Sequence, residues 1–374
     1  MNILILTEDY PDKRRSVFPF VKQLVDTMAG QGHDVQVVVP YSITRNKHFY
    51  QFKENYQQGN GTVTVYRPMY LSLSKLKIGD INLSYLMIQN AFNRGLKRLD
   101  KKPDVIYGHF WHTAYCGYKY AVKNRLPIFV ASGESQISFR PDSTAKRSFC
   151  GYVSGVICVS TKNKEESVDI GLTIENNCVV LPNAIDKMLF KPLDKRECRK
   201  QLGLPLNAFI VIFVGGFKYR KGTRRVSEAI SNIDKGEKVY SIFIGEGNEA
   251  PDNDNILYKG LINHSDVPYY LNASDVFVLP TLHEGCCNAI VEAMACGLPI
   301  ISSDLPFNKD ICNVTNSILV NPLNINEISS AIISLRDDTK LKLSLSKGAI
   351  STSENLSIDE RAMHIIEFIK EKSF

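Results

Sequence analysis

The chain has 374 residues, enough at roughly 150 residues per domain for two domains with separate cores. With 44% hydrophobic and 22% charged residues it lies near globular averages, which excludes extensive disorder, collagen-like repeats and long coiled coil. A formal charge of +6 is too small to mark a nucleic-acid binder.

Asn2-Ile3-Leu4-Ile5-Leu6-Thr7 is a short apolar run ending in polar residues, the pattern of a parallel strand covered on both faces. It runs into Glu8-Asp9, which argues against a signal peptide. After a loop containing Pro11, the residues Phe20, Leu24, Val25 and Met28 recur at helical spacing. Gly30 and Gly32 stop that helix before the strand Val35 to Val39. Further buried strands are expected at 104–107, 127–131, 155–159 and 178–181, with helices over 84–99 and 112–124. Near Pro182-Asn183-Ala184-Ile185-Asp186 the alternation breaks into turn residues; Pro192 and the charged run Asp194 to Lys200 follow, so the domain connection belongs here. The second half repeats the alternation, with strands at 209–214, 239–244, 256–259, 276–279 and 299–302. Its helices are expected after Lys221, around 267–271 and over 288–296. Met363, Ile366 and Ile369 make 358–370 an amphipathic helix. The organisation expected is a first α/β domain over 1–186, a second over 187–352, and a terminal helix within 353–374 that can cross back to the first. Tandem parallel-sheet domains bind ligands at the carboxyl ends of their strands, and a cleft between them is the natural site.

The charge is uneven: residues 1–186 hold 23 Lys+Arg against 16 Asp+Glu, and residues 187–374 hold 22 against 23. Lys13-Arg14-Arg15 and the run from Arg94 to Lys102 can attract an anionic membrane surface or a phosphate-bearing acceptor, or else form a solvated basic face. No stretch has the roughly 18 apolar residues of a membrane span. Nine cysteines without a Cys-x-x-Cys pair read as small core residues of a reducing compartment, not as disulfides or a zinc site. The expected location is the cytoplasm, with the inner membrane face as a peripheral surface.

The chemistry concentrates in 279–299. A strand ends at Pro280, a loop carries Glu284-Gly285, and a helix starts near Cys287 or Asn288 and is stopped by Gly297-Leu298-Pro299. Unpaired N–H groups and about half a positive charge at the helix start suit an anion such as a diphosphate without a metal. Gly285 lets backbone approach closely, and Glu284 and Glu292 would flank the anion as acceptors for sugar and ribose hydroxyls. Upstream, Gly215-Gly216-Phe217-Lys218-Tyr219-Arg220-Lys221-Gly222 is a glycine-rich strand-to-helix loop carrying cations, a generic phosphate cradle.

These segments resemble the retaining family-4 glycosyltransferases, whose GT-B fold is two facing Rossmann-like domains with parallel sheets and an interdomain cleft. The resemblance rests on Glu284-x7-Glu292, on Glu292-Ala293-Met294-Ala295-Cys296-Gly297-Leu298-Pro299, and on the lysine loop at Lys221. It extends to Gly245-Glu246-Gly247, Lys259-Gly260-Leu261, Ala273 to Pro280 and Pro182 to Asp186. It implies that Glu284 lies against the donor sugar, that Glu292 holds the ribose hydroxyls and that Lys221 grips the diphosphate. Gly215, Gly216, Gly245, Gly260, Leu261, Gly285, Cys286, Cys287 and Asn288 would complete the donor site. The family often has an arginine where Gly216 stands, and Arg220 or Lys218 would then supply the second positive charge. In the first domain Gly32-His33 and Asp104 to His109 are similar to the family; His109 either lines the cleft or is structural. Ser132 or Glu134 stands where many members have a histidine that touches the donor sugar, and Ser16 to Phe20 replaces a glycine-rich loop. The resemblance implies transfer of a hexosyl unit with retained configuration and no metal or other cofactor. The donor would be a nucleotide sugar, UDP before GDP. The acceptor would be a glycan or lipid-linked saccharide in cell-surface polysaccharide assembly.

Rival readings are a nucleotide-sugar epimerase on the same fold and a non-catalytic nucleotide-binding partner protein. Gly245-Glu246-Gly247-Asn248-Glu249-Ala250 formally fits a dinucleotide fingerprint, but Pro251 and Asp252-Asn253-Asp254-Asn255 predict a loop where that motif needs a helix. His109 and His112 have ligand spacing without a third ligand nearby.

Overall fold

The computed structural model describes residues 1–12, 19–44, 51–72, 77–78, 81–233 and 238–373, so the run Lys13-Arg14-Arg15 and the segment Ser16-Val17-Phe18 lie outside the described residues. The chain divides into two compact units. One comprises Met1–Val159, Asn163–Leu181 and Asp359–Phe374; the other comprises Ser160–Lys162 and Pro182–Ile358.

The first unit is built on an eight-stranded sheet. Its spatial order is Cys178–Val180, Val153–Cys158, Ile128–Ser132, Val105–His109, Asn2–Leu6, Asp34–Val38, Gly61–Tyr66 and Lys53–Gln58. All neighbours run parallel except the last pair, a hairpin closed at Gly59-Asn60. That hairpin has no apolar signature in the sequence, because its outer strand Lys53–Gln58 is polar and has no buried residue. Elsewhere the strands are apolar on both faces because helices cover both, as in Val105–His109 and Ile128–Ser132, where every residue is buried. Trp111, Phe139 and Phe149 pack as an aromatic cluster beneath the Trp111–Asn124 helix. The terminal helix Ile358–Ser373 packs here, with the Phe368 ring 5.9 Å from Phe129 and Arg361 donating to the Leu181 carbonyl at 3.3 Å.

The second unit holds a six-stranded, wholly parallel sheet in the order Ile256–Gly260, Val239–Ile244, Phe209–Val214, Val276–Leu279, Ile300–Ser303 and Ser317–Val320. The chain steps outward from Phe209–Val214 on one side and from Val276–Leu279 on the other. The order therefore reverses between these two neighbours, and loops leaving their carboxyl ends diverge to form a crevice. The charged run read as part of a connection is a helix, Lys195–Gln201. Asp194 caps it by accepting from the Glu197 N–H at 2.8 Å, and Arg199 on its inner face meets a buried carboxylate.

That carboxylate, Asp275, ties the helix to the sheet. It accepts from Arg199 Nη2, Lys195 Nζ and the Ile210 N–H, each at 2.8 Å. Removing one partner of a buried pair strands the other's charge, at a cost of about 3–5 kcal/mol. Asp275→Ala should therefore lower the unfolding free energy of the second unit, measured by urea titration, by that amount, while Asp194→Ala, which loses one exposed cap, costs about 1 kcal/mol.

Candidate active site

The crevice of the second unit is lined by four loops. After Phe209–Val214 the chain passes Gly215-Gly216, makes a single turn over Tyr219–Lys221 and enters the helix Thr223–Ser231 through Gly222. Gly222 has φ 81°, and a Cβ there would lie 2.8 Å from the Pro280 carbonyl oxygen, so neither its conformation nor its surroundings admit another residue. Gly245, after the neighbouring strand, sits so close to the first loop that a Cβ would come within 2.0 Å of the Gly215 oxygen. No helix follows Gly245-Glu246-Gly247, which rules out the dinucleotide fingerprint, and Asp252-Asn253-Asp254 lies in a loop. Backbone bonds from Gly215 to Ile244 and from Leu282 to Arg220, both 2.9 Å, join these loops into one surface.

The fourth loop carries Glu284. Its Oε1 accepts from Arg220 Nη1 at 2.5 Å, Lys221 Nζ at 2.6 Å and Thr281 Oγ1 at 3.3 Å. Arg220 also donates to the His283 carbonyl, while Lys218 is exposed. Of the two alternatives for the second cation, Arg220 is thus the one gathered beside Lys221. Burial favours the neutral amine of Lys221, but the Cys287 sulfur and the Glu284 carboxylate outweigh it and raise its pKa above the ordinary value. Lys221 is accordingly charged at neutral pH. At Glu284 itself two cations face one carboxylate, a local surplus of positive charge.

The helix Asn288–Ala295 starts immediately beyond, with Cys287 at the N-cap position and no side-chain cap. Asn183 holds this corner by donating to the Cys286 carbonyl at 2.9 Å and to Asn288 Oδ1 at 2.6 Å. One turn into the helix, Glu292 Oε1 meets His264 Nε2 at 3.1 Å. That hydrogen bond raises the His264 pKa against the opposing effect of burial, and the charges of Glu292 and Asp186 add to it. The His264 ring packs edge-on against buried Phe190 at 5.3 Å. Neither Asn183 nor His264 was a candidate from sequence. Their partners are 105 and 28 positions away, and no local spacing signals such a pairing. Leu261, a donor-site candidate, projects with 61% of its surface exposed beside Gly260.

The first unit gathers His109, Ser132 and Glu134 at the carboxyl ends of two adjacent strands, where Ala131 pairs with His109. His109 is buried, its ring 4.3 Å from Phe110 and 5.5 Å from Phe20. Burial, reinforced by the Arg361 charge, pulls its pKa down to about 3. It is therefore a neutral imidazole at working pH. Phe110 has φ 81° and ψ 157°, a conformation costly for a bulky residue. As N-cap of the Trp111–Asn124 helix it offers no side-chain acceptor; Glu134 supplies one from the loop after the neighbouring strand, taking the Trp111 N–H at 3.2 Å and the Gly133 N–H at 3.0 Å. Burial pushes Glu134 up to about 7, although these N–H donors pull the other way. Ser132 is fully buried and accepts from Trp111 Nε1 at 3.3 Å. Among the described residues no cluster of three His, Cys, Asp or Glu side chains is placed to hold a metal ion, and His112 Nε2 contacts Ser138 Oγ at 3.2 Å.

Comparison with known proteins agrees with this architecture. Residues 19–188 match the model of Glycosyltransferase Family 4, and residues 194–352 match that of Glycosyl transferases group 1. Both matched models are of glycosyltransferases. It is 28% identical over 357 residues, 89% of its length and 88% of the other's, to Bacillus subtilis TuaC, which is named as a teichuronic acid biosynthesis glycosyltransferase. Over 205 residues, 50% of this chain and 52% of the relative, it is 31% identical to the Escherichia coli UDP-Gal:alpha-D-GlcNAc-diphosphoundecaprenol alpha-1,3-galactosyltransferase. Sucrose-phosphate synthase from Thermosynechococcus elongatus superimposes with a TM-score of 0.80 at 17% identity, covering 99% of this chain and 98% of the other. The fold is GT-B, with two Rossmann-like α/β units.

Two measurements check the site. Lys221→Ala should weaken binding of UDP at least tenfold and of uridine by less than twofold in calorimetry, since only the first presents a diphosphate to the cation. His109 gives a pH signature. Its folded pKa lies below the ordinary 6.5, so the stability it contributes is complete above that pH and is lost as pH falls toward about 3. Glu134 has the opposite slope, losing stability as pH rises toward about 7, so the comparison must be with a variant and not across pH alone. His109→Gln should gain on the wild type by up to about 1.4 kcal/mol for each pH unit below 6.5, read from urea midpoints.

Proposed function

We propose that the chain is a retaining, metal-independent glycosyltransferase. It moves a sugar from a nucleotide donor, a UDP-sugar in preference to a GDP-sugar, onto a lipid-linked saccharide during cell-surface polysaccharide assembly at the cytoplasmic face of the membrane. The observation that carries the reading is the convergence of Lys221 and Arg220 on Glu284 where the strand order of the second sheet reverses. A leaving diphosphate develops charge that needs fixed cations and dipoles, and a local surplus of positive charge at Glu284 beside a helix start answers that need. On this reading the diphosphate takes the hydrogen bonds that Lys221 and Arg220 give to Glu284, and the carboxylate turns to the donor sugar. Glu292 accepts from the ribose hydroxyls. Gly215, Gly216, Gly245 and Gly260 let backbone close around the donor, and Gly285 with Cys286, Cys287 and Asn288 presents the helix start. Neutral His109 can exchange hydrogen bonds with a substrate hydroxyl but supplies no charge, and Ser132 with Glu134 shapes the acceptor side.

Two relatives support the substrate class: one is named for teichuronic acid biosynthesis, and another for transfer from UDP-galactose to a diphosphoundecaprenol-linked sugar. The membrane assignment draws on the basic run 94–102, although much of that run is engaged within the protein. Arg94 donates to the Met69 carbonyl, Arg98 lies 4.8 Å over the Phe52 ring, and Lys101 pairs with Asp34 at 3.0 Å. Among the described residues no helix is long and apolar enough to cross a membrane.

The test is incubation with labelled UDP- and GDP-sugars and a polyprenyl-diphosphate saccharide, with chelator present, and the anomeric configuration of the product read by NMR. The expected product keeps the α configuration of the donor, and Glu284→Gln lowers turnover by about 10²–10³. Inversion at a ring carbon of the sugar without transfer would make the chain an epimerase, and tight nucleotide binding with no turnover would make it a binding partner.

A further inference from the structure

We infer that His264 is a positioning residue for donor recognition: its Nε2 fixes one oxygen of Glu292 so that the other is presented to the ribose hydroxyls. The inference rests on the proposed role of Glu292 and adds a residue to it. A glutamate has three side-chain torsions, and ordering them on ligand binding costs conformational entropy. A partner that orders the carboxylate beforehand removes that cost from the binding step.

The geometry is that of such a partner. His264 Nε2 lies 3.1 Å from Glu292 Oε1, and among the described residues no other donor bonds that carboxylate. The Glu292 side chain keeps 14% of its surface exposed, and Oε2 is not among the buried polar atoms left without a partner. His264 is itself restrained on three sides. Its ring abuts Phe190, which is 2% exposed. Its backbone opens the short turn His264–Asp266, closed by the Asp266 N–H on the Asn263 carbonyl at 2.9 Å and by Asn263 Nδ2 on Asp266 Oδ2 at 3.2 Å. The carboxylates of Glu292 and Asp186 also favour the charged imidazole, and a charge-assisted bond is stronger and more directional than a neutral one. On the opposite side of the pair, the helix that carries Glu292 is fixed at its start by Asn183. The turn bearing His264 follows Gly260-Leu261, so one loop places nucleotide-contacting backbone and the side chain that orients Glu292.

Packing and hydrogen bonding are separable here by two variants. His264→Phe keeps a ring against Phe190 and loses the donor; His264→Gln loses the ring and keeps an N–H able to reach Glu292. Calorimetry with whichever of UDP and GDP the full chain binds, and with the 2′,3′-dideoxy form of that nucleotide, reads the ribose contribution directly. The wild type should prefer the ribose form by at least tenfold. His264→Phe should lose most of that preference by weakening the ribose form alone, His264→Gln should retain most of it, and Glu292→Gln should lose it. Equal weakening of both ligands by His264→Phe, or loss of the preference in His264→Gln but not in His264→Phe, would overturn the positioning role and leave the function of Glu292 intact. Full preference in Glu292→Gln, or binding of neither nucleotide, would overturn the ribose assignment and the inference together.

Discussion

Glu284 shares a single oxygen between Lys221 and Arg220, and the rest of the second unit is arranged so that this can happen. Two cations at such separations repel, and each is partly removed from water, so neither would be held there without a carboxylate between them. The side chains come from loops leaving two strands that are neighbours in space but 62 positions apart in sequence, Phe209–Val214 and Val276–Leu279. They meet only because the sheet reverses its strand order there. Gly222 and Gly245 then decide how closely the loops mesh, and the Arg225 bond to the Pro280 carbonyl at 2.9 Å draws the cation loop and the glutamate loop together from beneath.

The sequence made the sheet cores legible because a parallel strand covered on both faces must be an apolar run, and the second sheet's Phe209–Val214, Val239–Ile244 and Val276–Leu279 coincide with the runs read from it. What stayed hidden was whatever a polar composition disguises. The hairpin strand Lys-Glu-Asn-Tyr-Gln-Gln has no apolar face to announce it. Lys195–Gln201 is nearly all charged, and its buried side is Cys198 with Arg199, an arginine that is apolar in role only because Asp275 neutralises it. The strand Ser317–Val320 and the two helices after it, Ile325–Asp337 and Thr339–Glu354, carry weaker patterns and were not singled out.

For the site the division is similar. Glu284, Lys221 and the helix start were legible because each belongs to a local strand–loop–helix pattern that itself favours an anion. Asn183 and His264 were not, since a polar residue in a loop gives no sign of which distant group it will orient. Glu134 is an intermediate case. Its position near Ser132 departs from the family pattern, yet its observed contact is structural: it supplies the acceptor that Phe110 cannot provide at the start of the Trp111–Asn124 helix. A strained Phe110 backbone and a buried carboxylate persist together because each would be costly alone. The N–H groups that need an acceptor are the ones that keep Glu134 from being an unpartnered acid.

A built-in counterion also bears on how the crevice can bind and release a multiply charged ligand. Cations that pointed into water would have to shed hydration when a diphosphate arrived, and cations buried without a partner would destabilise the fold by several kcal/mol each. With Glu284 bonded to both, a phosphate bound as proposed would exchange one oxygen acceptor for another around cations that are already oriented and partly dehydrated. The reorganisation is then confined to one side chain. On the proposed reading release reverses the exchange, with the carboxylate returning to Lys221 and Arg220 as the diphosphate departs.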